Sequence, residues 1–125
     1  MKNNINIAFW FRLGLACFFL VNSLSAFFSP SEFAELVQNN SFISSIANSG
    51  FWVTLIGIND GLLFILILLG AWKKSVAIWA GIWIVVVLFV TNAGGFEAID
   101  FIEHIGVLSL IAYYYFAFAR PNVIR

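Results

Sequence analysis

The chain has 125 residues, of which 62% are hydrophobic and only 10% charged, and its six basic and six acidic side chains cancel. Such a composition excludes a soluble domain, and four membrane spans would use most of the length, leaving no room for a nucleotide fold, a protease domain or a nucleic-acid module. No phosphate-binding glycine loop, zinc-ligand spacing or His-Glu-x-x-His segment occurs.

Four apolar stretches, at roughly 6–28, 51–72, 75–92 and 97–119, each have about the 20 residues that cross a bilayer core. They predict one transmembrane domain over 1–125, an all-α integral membrane four-helix bundle. The first span carries Arg12 near its start and Asn22 near its end. Cys17 reads as a small buried apolar residue and, as the sole cysteine, has no intramolecular disulfide partner. Lys2 and Ser23-Leu24-Ser25 outline a signal peptide, but the apolar run is long for one and predicts a retained helix.

After the first span, Ser29 is placed to cap a new helix, with Pro30 at its first position and Glu32 three residues after the cap. Phe33, Leu36 and Val37 share one helical face, and Phe42, Ile43 and Ile46 repeat the pattern beyond Asn39-Asn40. This segment is too polar to cross, and is expected as one or two short amphipathic helices on the outer surface, apolar side down. The second span begins near Phe51-Trp52 and ends at Trp72, and Lys73-Lys74 forms a tight turn that makes the second and third spans antiparallel neighbours. The third span is rich in Trp, Ile and Val and ends at Asn92 before a Gly94-Gly95 turn. The fourth starts acidic and ends in Tyr113-Tyr114-Tyr115-Phe116 before Arg120-Pro121. That aromatic cluster and Trp72 suit the inner headgroup belt, and Trp52 the outer one. Gly57 with Gly61, and Ala77 with Gly81, are small-x-x-x-small pairs, read first as packing within the bundle and second as a homodimer contact.

Charge is sided. With both termini cytoplasmic, Lys2, Arg12, Lys73, Lys74, Arg120 and Arg125 all fall near the inner face, and Glu32, Glu35, Glu97, Asp100 and Glu103 near the outer face. Basic residues in short loops set orientation, so the expectation is a multi-pass protein of the cytoplasmic membrane with both ends inside. Asp60 is the acid left in mid-membrane. At 1.5 Å of rise per residue it lies roughly 13 Å from the outer end of its helix, Glu103 and His104 roughly 9–11 Å from theirs, and Asn22 roughly 9 Å. Asn22, Asn59, Asp60, Glu103 and His104 therefore form one candidate polar layer. Neighbours in sequence point about 100° apart, which partly forces a choice within Asn59–Asp60 and within Glu103–His104.

An ionised carboxylate in hydrocarbon costs at least about 2.5–3.5 kcal/mol, so Asp60 has to face a partner or water, or take up a proton. Arg12 either climbs to it or snorkels to the inner headgroups. The layer reads either as a cavity for a polar head group or proton, or as a hydrogen-bond network that sets helix register. Asp100 and His104 are spaced to meet on one helix face, but a lone histidine among carboxylates is not a metal site. Trp79 and Trp83 share a face, with packing or lipid contact as the ordinary role and flanking of a planar ligand as the alternative.

The run from Asp60 through Gly61-Leu62-Leu63 to Gly70, followed by Ala71-Trp72-Lys73-Lys74-Ser75-Val76-Ala77, resembles the second-helix signature of the DoxX-like membrane proteins, which more often have glutamate at the position of Asp60. Arg12-Leu13-Gly14-Leu15-Ala16 is similar to that family's opening, and Phe28 to Leu36 to its extracytoplasmic segment. The resemblance implies a four-helix membrane bundle, with Arg12 and Asp60 as the motif positions it carries over. It also implies a link to thiosulfate:quinone oxidoreductase and oxidative-stress complexes at the membrane. The expectation is a redox-linked accessory subunit that holds a non-covalent quinone, or docks a membrane redox partner that does. Asp60 and His104 would handle protons, and Arg12 would orient. A small-solute carrier, working as a homo-oligomer, and a scaffold for a membrane complex are the other readings.

Overall fold

A computed structural model describes residues 2–92 and 97–119, with side chains from residue 7 onward. Its elements are all helical: α1 (Lys2–Phe28), α2 (Ser31–Asn39), α3 (Ser41–Ile46), α4 (Ser49–Leu69), α5 (Lys73–Asn92) and α6 (Ala98–Tyr114), the last continuing as a π-helical turn over Tyr115–Ala119. Four stretches are long and apolar enough to cross a membrane: Ile7–Phe28, Ser49–Leu69, Lys73–Asn92 and Ala98–Ala119. Only 22–28% of the most apolar window of each is buried in protein. The apolar side chains left outside, among them Trp10, Phe28, Ile82 and Phe89, have to be covered by lipid. The chain is thus an all-α membrane four-helix bundle. The Gly94-Gly95 turn, Arg120, Pro121 and Arg125 lie outside the described residues, as does the Lys2 side chain.

The helix ends correct the sequence reading in three places. Ser29 does not cap α2; its N–H bonds the Ser25 carbonyl at 2.9 Å and prolongs α1. Pro30 stands at the cap position without a side-chain bond. The side-chain caps are Asn40 and Asn48, which accept from the N–H groups of Ile43 (3.0 Å) and Phe51 (2.8 Å). The second span ends at Leu69 rather than Trp72, because Gly70 adopts φ +69°. The Gly70 N–H then bonds the Ile67 carbonyl at 3.1 Å and the Ala71 N–H the Leu66 carbonyl at 3.0 Å, the paired bonds of a glycine-terminated helix. The turn is Gly70–Trp72, and Lys73 and Lys74 already belong to α5.

Small residues decide which helices pair. A Cβ at Gly57 would sit 2.6 Å from the Phe27 ring, and one at Gly61 would sit 3.1 Å from Ser23 Oγ. Ser23 Oγ donates to the Gly57 carbonyl at 2.7 Å. So α1 lies closest along α4, whose glycines serve packing inside the bundle. Gly81 of α5 faces Ile111 of α6, where a Cβ would find ordinary contact at 3.8 Å. The α1–α4 and α5–α6 pairs meet through a core of Leu15, Phe19, Leu63, Ile67, Ala80, Ile84, Ile111 and Tyr114. This core fills the half of the bundle next to Lys73. In the other half the pairs part, and α2 and α3 lie across the opening.

Surface aromatics sort as lipid contact requires, with two exceptions. Trp72, Tyr113 and Phe116 are exposed at the Lys73 end, where a headgroup belt would sit, but Tyr114 is fully buried in the core. Trp52 is half-buried, its Nε1 donating to the Ile43 carbonyl at 3.0 Å and tying α4 to α3. Cys17, expected inside, is exposed on the lipid-facing side of α1, one position from buried Ala16.

Gly57→Leu should separate α1 from α4 and lower stability in detergent by about 1–3 kcal/mol. Gly106→Leu, at a site where a Cβ meets nothing within 4 Å, should leave the denaturation midpoint in place. Equal midpoints for wild type and Gly57→Leu would mean that the close α1–α4 contact is absent.

Candidate functional site

Where the helix pairs part, they enclose a cavity of about 320 Å³. Phe18, Asp60, Trp83 and His104 form its floor, one residue from each spanning helix. Asn22, Asp100 and Glu103 stand higher on its wall, and Phe33, Leu36, Val37 and Ile43 of α2 and α3 close it above with their apolar sides. The α2 part of the amphipathic segment thus turns its predicted apolar face to the bundle's own cavity, whereas of the face predicted for α3 only Ile43 does so. Phe42 and Ile46 are left exposed beside it. The volume is at the lower end of the range for small-molecule sites, and apolar walls with a few converging polar groups are their usual construction.

Asp60 is 2% exposed and has no ion-pair partner among the described residues. Its neighbours are neutral donors. Asn59 Nδ2 donates to Asp60 Oδ1 at 3.1 Å, and the Asn22 and Trp83 side chains present further donors to the same carboxylate. Asn59 is itself held from behind, because Trp79 Nε1 donates to Asn59 Oδ1 at 2.9 Å. Trp79 and Asn59 stand 20 residues apart on antiparallel helices, so this chain of bonds fixes the register of α5 against α4 and aims the amide at the acid.

His104 is buried, and Phe18 meets it edge-on with ring centroids 6.1 Å apart. His104 Nδ1 lies 2.8 Å from the Asp100 carbonyl oxygen and 3.5 Å from Asp100 Oδ1. A carbonyl only accepts, so Nδ1 is the donor, and Nε2 is the nitrogen left for water or a ligand. The i, i+4 spacing of Asp100 and His104 therefore produces the contact it suggests. Asp100 Oδ2 is buried without a hydrogen-bond partner among the described residues.

The expected polar layer thus divides. Asn22, Asp60, Glu103 and His104 border one cavity, with His104 buried and Glu103 exposed on its rim; Asn59 stands beside it, as the link between Asp60 and Trp79. Arg12 does not join them. Its guanidinium lies against Gly70, at the far end of α4, so of the two courses open to it the turn toward the headgroups is the one taken. What sequence reasoning passed over is the hydrogen bonding of Trp79 and Trp83, read as packing or lipid contact with flanking of a planar ligand as the alternative. Their indole N–H groups, four residues apart and level with Asn59 and Asp60, were the available signal.

No family model, no curated protein and no solved structure matches this chain. The reading of the site rests on its own geometry.

A double-mutant cycle tests the bond chain. Trp79→Phe should cost about 0.6 kcal/mol, the usual value for an interhelical hydrogen bond in a membrane. Asn59→Leu should cost more, because it also strips a donor from Asp60. The coupling between the two should be about 0.6 kcal/mol in reversible unfolding from mixed micelles; a coupling of zero would exclude the bond.

Proposed function

We propose that the chain is a DoxX-like protein of the cytoplasmic membrane, both termini inside, that holds the ring of a quinone in the cavity above Asp60 and serves a membrane redox complex as an accessory subunit. The observation that carries this reading is the cavity itself, an apolar chamber inside the membrane-spanning bundle with a carboxylate and an imidazole on its floor. Intramembrane ionisable groups that face a cavity mark proton or ligand paths. The order of the Asp60 to Gly70 run and the lysines that follow supports the family assignment, and the clustering of Lys73 and Lys74 at one end supports the orientation.

The residues present suit a quinone ring. Trp83 and Phe18 supply aromatic faces on the cavity floor, and the surrounding valines and isoleucines keep it apolar. A bound quinone supplies two-electron, two-proton redox chemistry. Asp60 accepts or releases a proton at its carboxylate while Asn59, Asn22 and Trp83 hold the group in place. His104, held through Nδ1 by Asp100, presents Nε2 as a second proton-handling atom. Glu103 and Asp100 on the wall form the step toward water. With Arg12 at the other end of the bundle, the orienting role expected of it passes to Asn59 and Trp79.

Asp60→Asn keeps the size of the side chain and removes the proton site. It should insert normally and weaken equilibrium binding of a short-chain benzoquinol, whose hydroxyl donates to the Asp60 carboxylate, roughly tenfold in detergent, the scale of one charge-assisted hydrogen bond. Wild-type binding by the variant, or no binding by either protein, would overturn the quinone reading. A changed abundance of a neighbouring membrane complex with binding unaltered would point instead to a scaffold.

Orientation has its own test. In a Cys17→Ser background, Lys74→Cys should be blocked by a membrane-impermeant maleimide only after the cell is opened. Labelling of intact cells would place the lysine end outside.

A further inference from the structure

The Lys73 end of the bundle carries a second polar cluster that the cavity does not use. Arg12 of α1 and Lys73 of α5 converge there on the glycine that ends α4. Arg12 Nη1 lies 2.9 Å, Arg12 Cζ 3.3 Å and Lys73 Cε 3.5 Å from the point that a Cβ on Gly70 would occupy. Gly70 is required for its φ of +69°, and the end of the guanidinium packs against it. Tyr114 of α6, in the core next to this end, is fully buried and its hydroxyl has no hydrogen-bond partner among the described residues. Arg12 Nε is likewise buried and unpaired.

What these groups lack among the described residues is an anion. The chain has six acids. Asp60 is at mid-depth, Glu32 and Glu35 are on α2, and Glu97, Asp100 and Glu103 stand at the start of α6, all toward the opposite end. The partial negative charge at the end of α4 offsets about half a unit, against two full positive charges beside it. Lys74 adds a third at the surface. A guanidinium partly inside a bundle, with an unpaired nitrogen, is costly unless an anion reaches it. At this depth, level with exposed Trp72 and Tyr113, the abundant anion is phosphate, and the planar fork of arginine beside a point-charge lysine is the usual means of binding it.

We propose that Arg12 and Lys73 form a binding site for the phosphate of an anionic phospholipid in the leaflet at the Lys73 end. The site is independent of the cavity and of any ligand there. It gives α1 and α5 a common counter-ion and fastens the turn between α4 and α5 to the membrane surface.

The test is native mass spectrometry of the full chain, released from membranes that contain phosphatidylglycerol and phosphatidylcholine in equal amounts. Wild type should retain one phosphatidylglycerol in preference to phosphatidylcholine, and millimolar inorganic phosphate should not displace it. Lys73→Gln and Arg12→Gln should each lower that retention at least about fivefold, the effect of one cation near the membrane surface. Lys74→Gln should not, because Lys74 is exposed and outside the cluster. If Arg12→Gln does not fold, Lys73→Gln decides. Equal retention of both lipids, equal loss in Lys73→Gln and Lys74→Gln, or full retention in Lys73→Gln would overturn the site. Displacement by inorganic phosphate would overturn the lipid as its ligand.

Discussion

A carboxylate in the middle of a membrane helix has to be enclosed, and much of this bundle follows from how Asp60 is enclosed. No cation among the described residues reaches it. Neutral donors surround it instead, and the nearest, Asn59, is its own neighbour in sequence. Side chains that close on one helix point about 100° apart. If Asp60 faces the bundle interior, Asn59 faces the next helix, and Trp79 meets it there. One acidic position thus accounts for the inward face of α4, a polar link from α4 to α5 and the tryptophan placement on α5.

The two halves of the molecule then differ in kind. Toward Lys73, small and branched side chains fill the space between the helix pairs, and Tyr114 and Phe19 complete a dry core. Toward α2 and α3, larger and more polar residues line the space between the pairs. Close packing of α1 on α4 at Gly57 and Gly61 persists through this upper half, so the opening lies between pairs and not within one. A cavity bounded by packed helix pairs and partly covered by two short helices can keep its shape in lipid, where no hydrophobic drive would collapse it.

Depth was legible in the sequence and direction was not. Hydropathy located the four spans, and counting 1.5 Å per residue brought Asn22, Asp60, Glu103 and His104 to one level, where the structure finds them around one cavity. Counting does not say which way a side chain points. Cys17 therefore came out on the lipid side, Tyr114 left the aromatic belt for the core, and Trp79 turned out to be a hydrogen-bond donor to Asn59. Arg12 had two reachable destinations, and only the position of Gly70 against it separates them. The ends of α4 and α5 moved because the left-handed conformation at Gly70 stops the helix before the aromatic and basic residues that resemble an end. Ser29 was a plausible cap by type, yet α1 held it first. No composition signal distinguishes these outcomes, since each depends on what stands across the interface.

The central claim is that Asp60 sits inside the bundle under a chamber shaped for a ligand. A structure of the full chain in lipid nanodiscs tests it most directly. The account predicts Asp60 hydrogen-bonded to Asn59, with density for a ring or head group between Trp83, Phe18 and His104. An Asp60 side chain turned toward acyl chains, or a chamber closed by collapsed helices with no density inside, would contradict it.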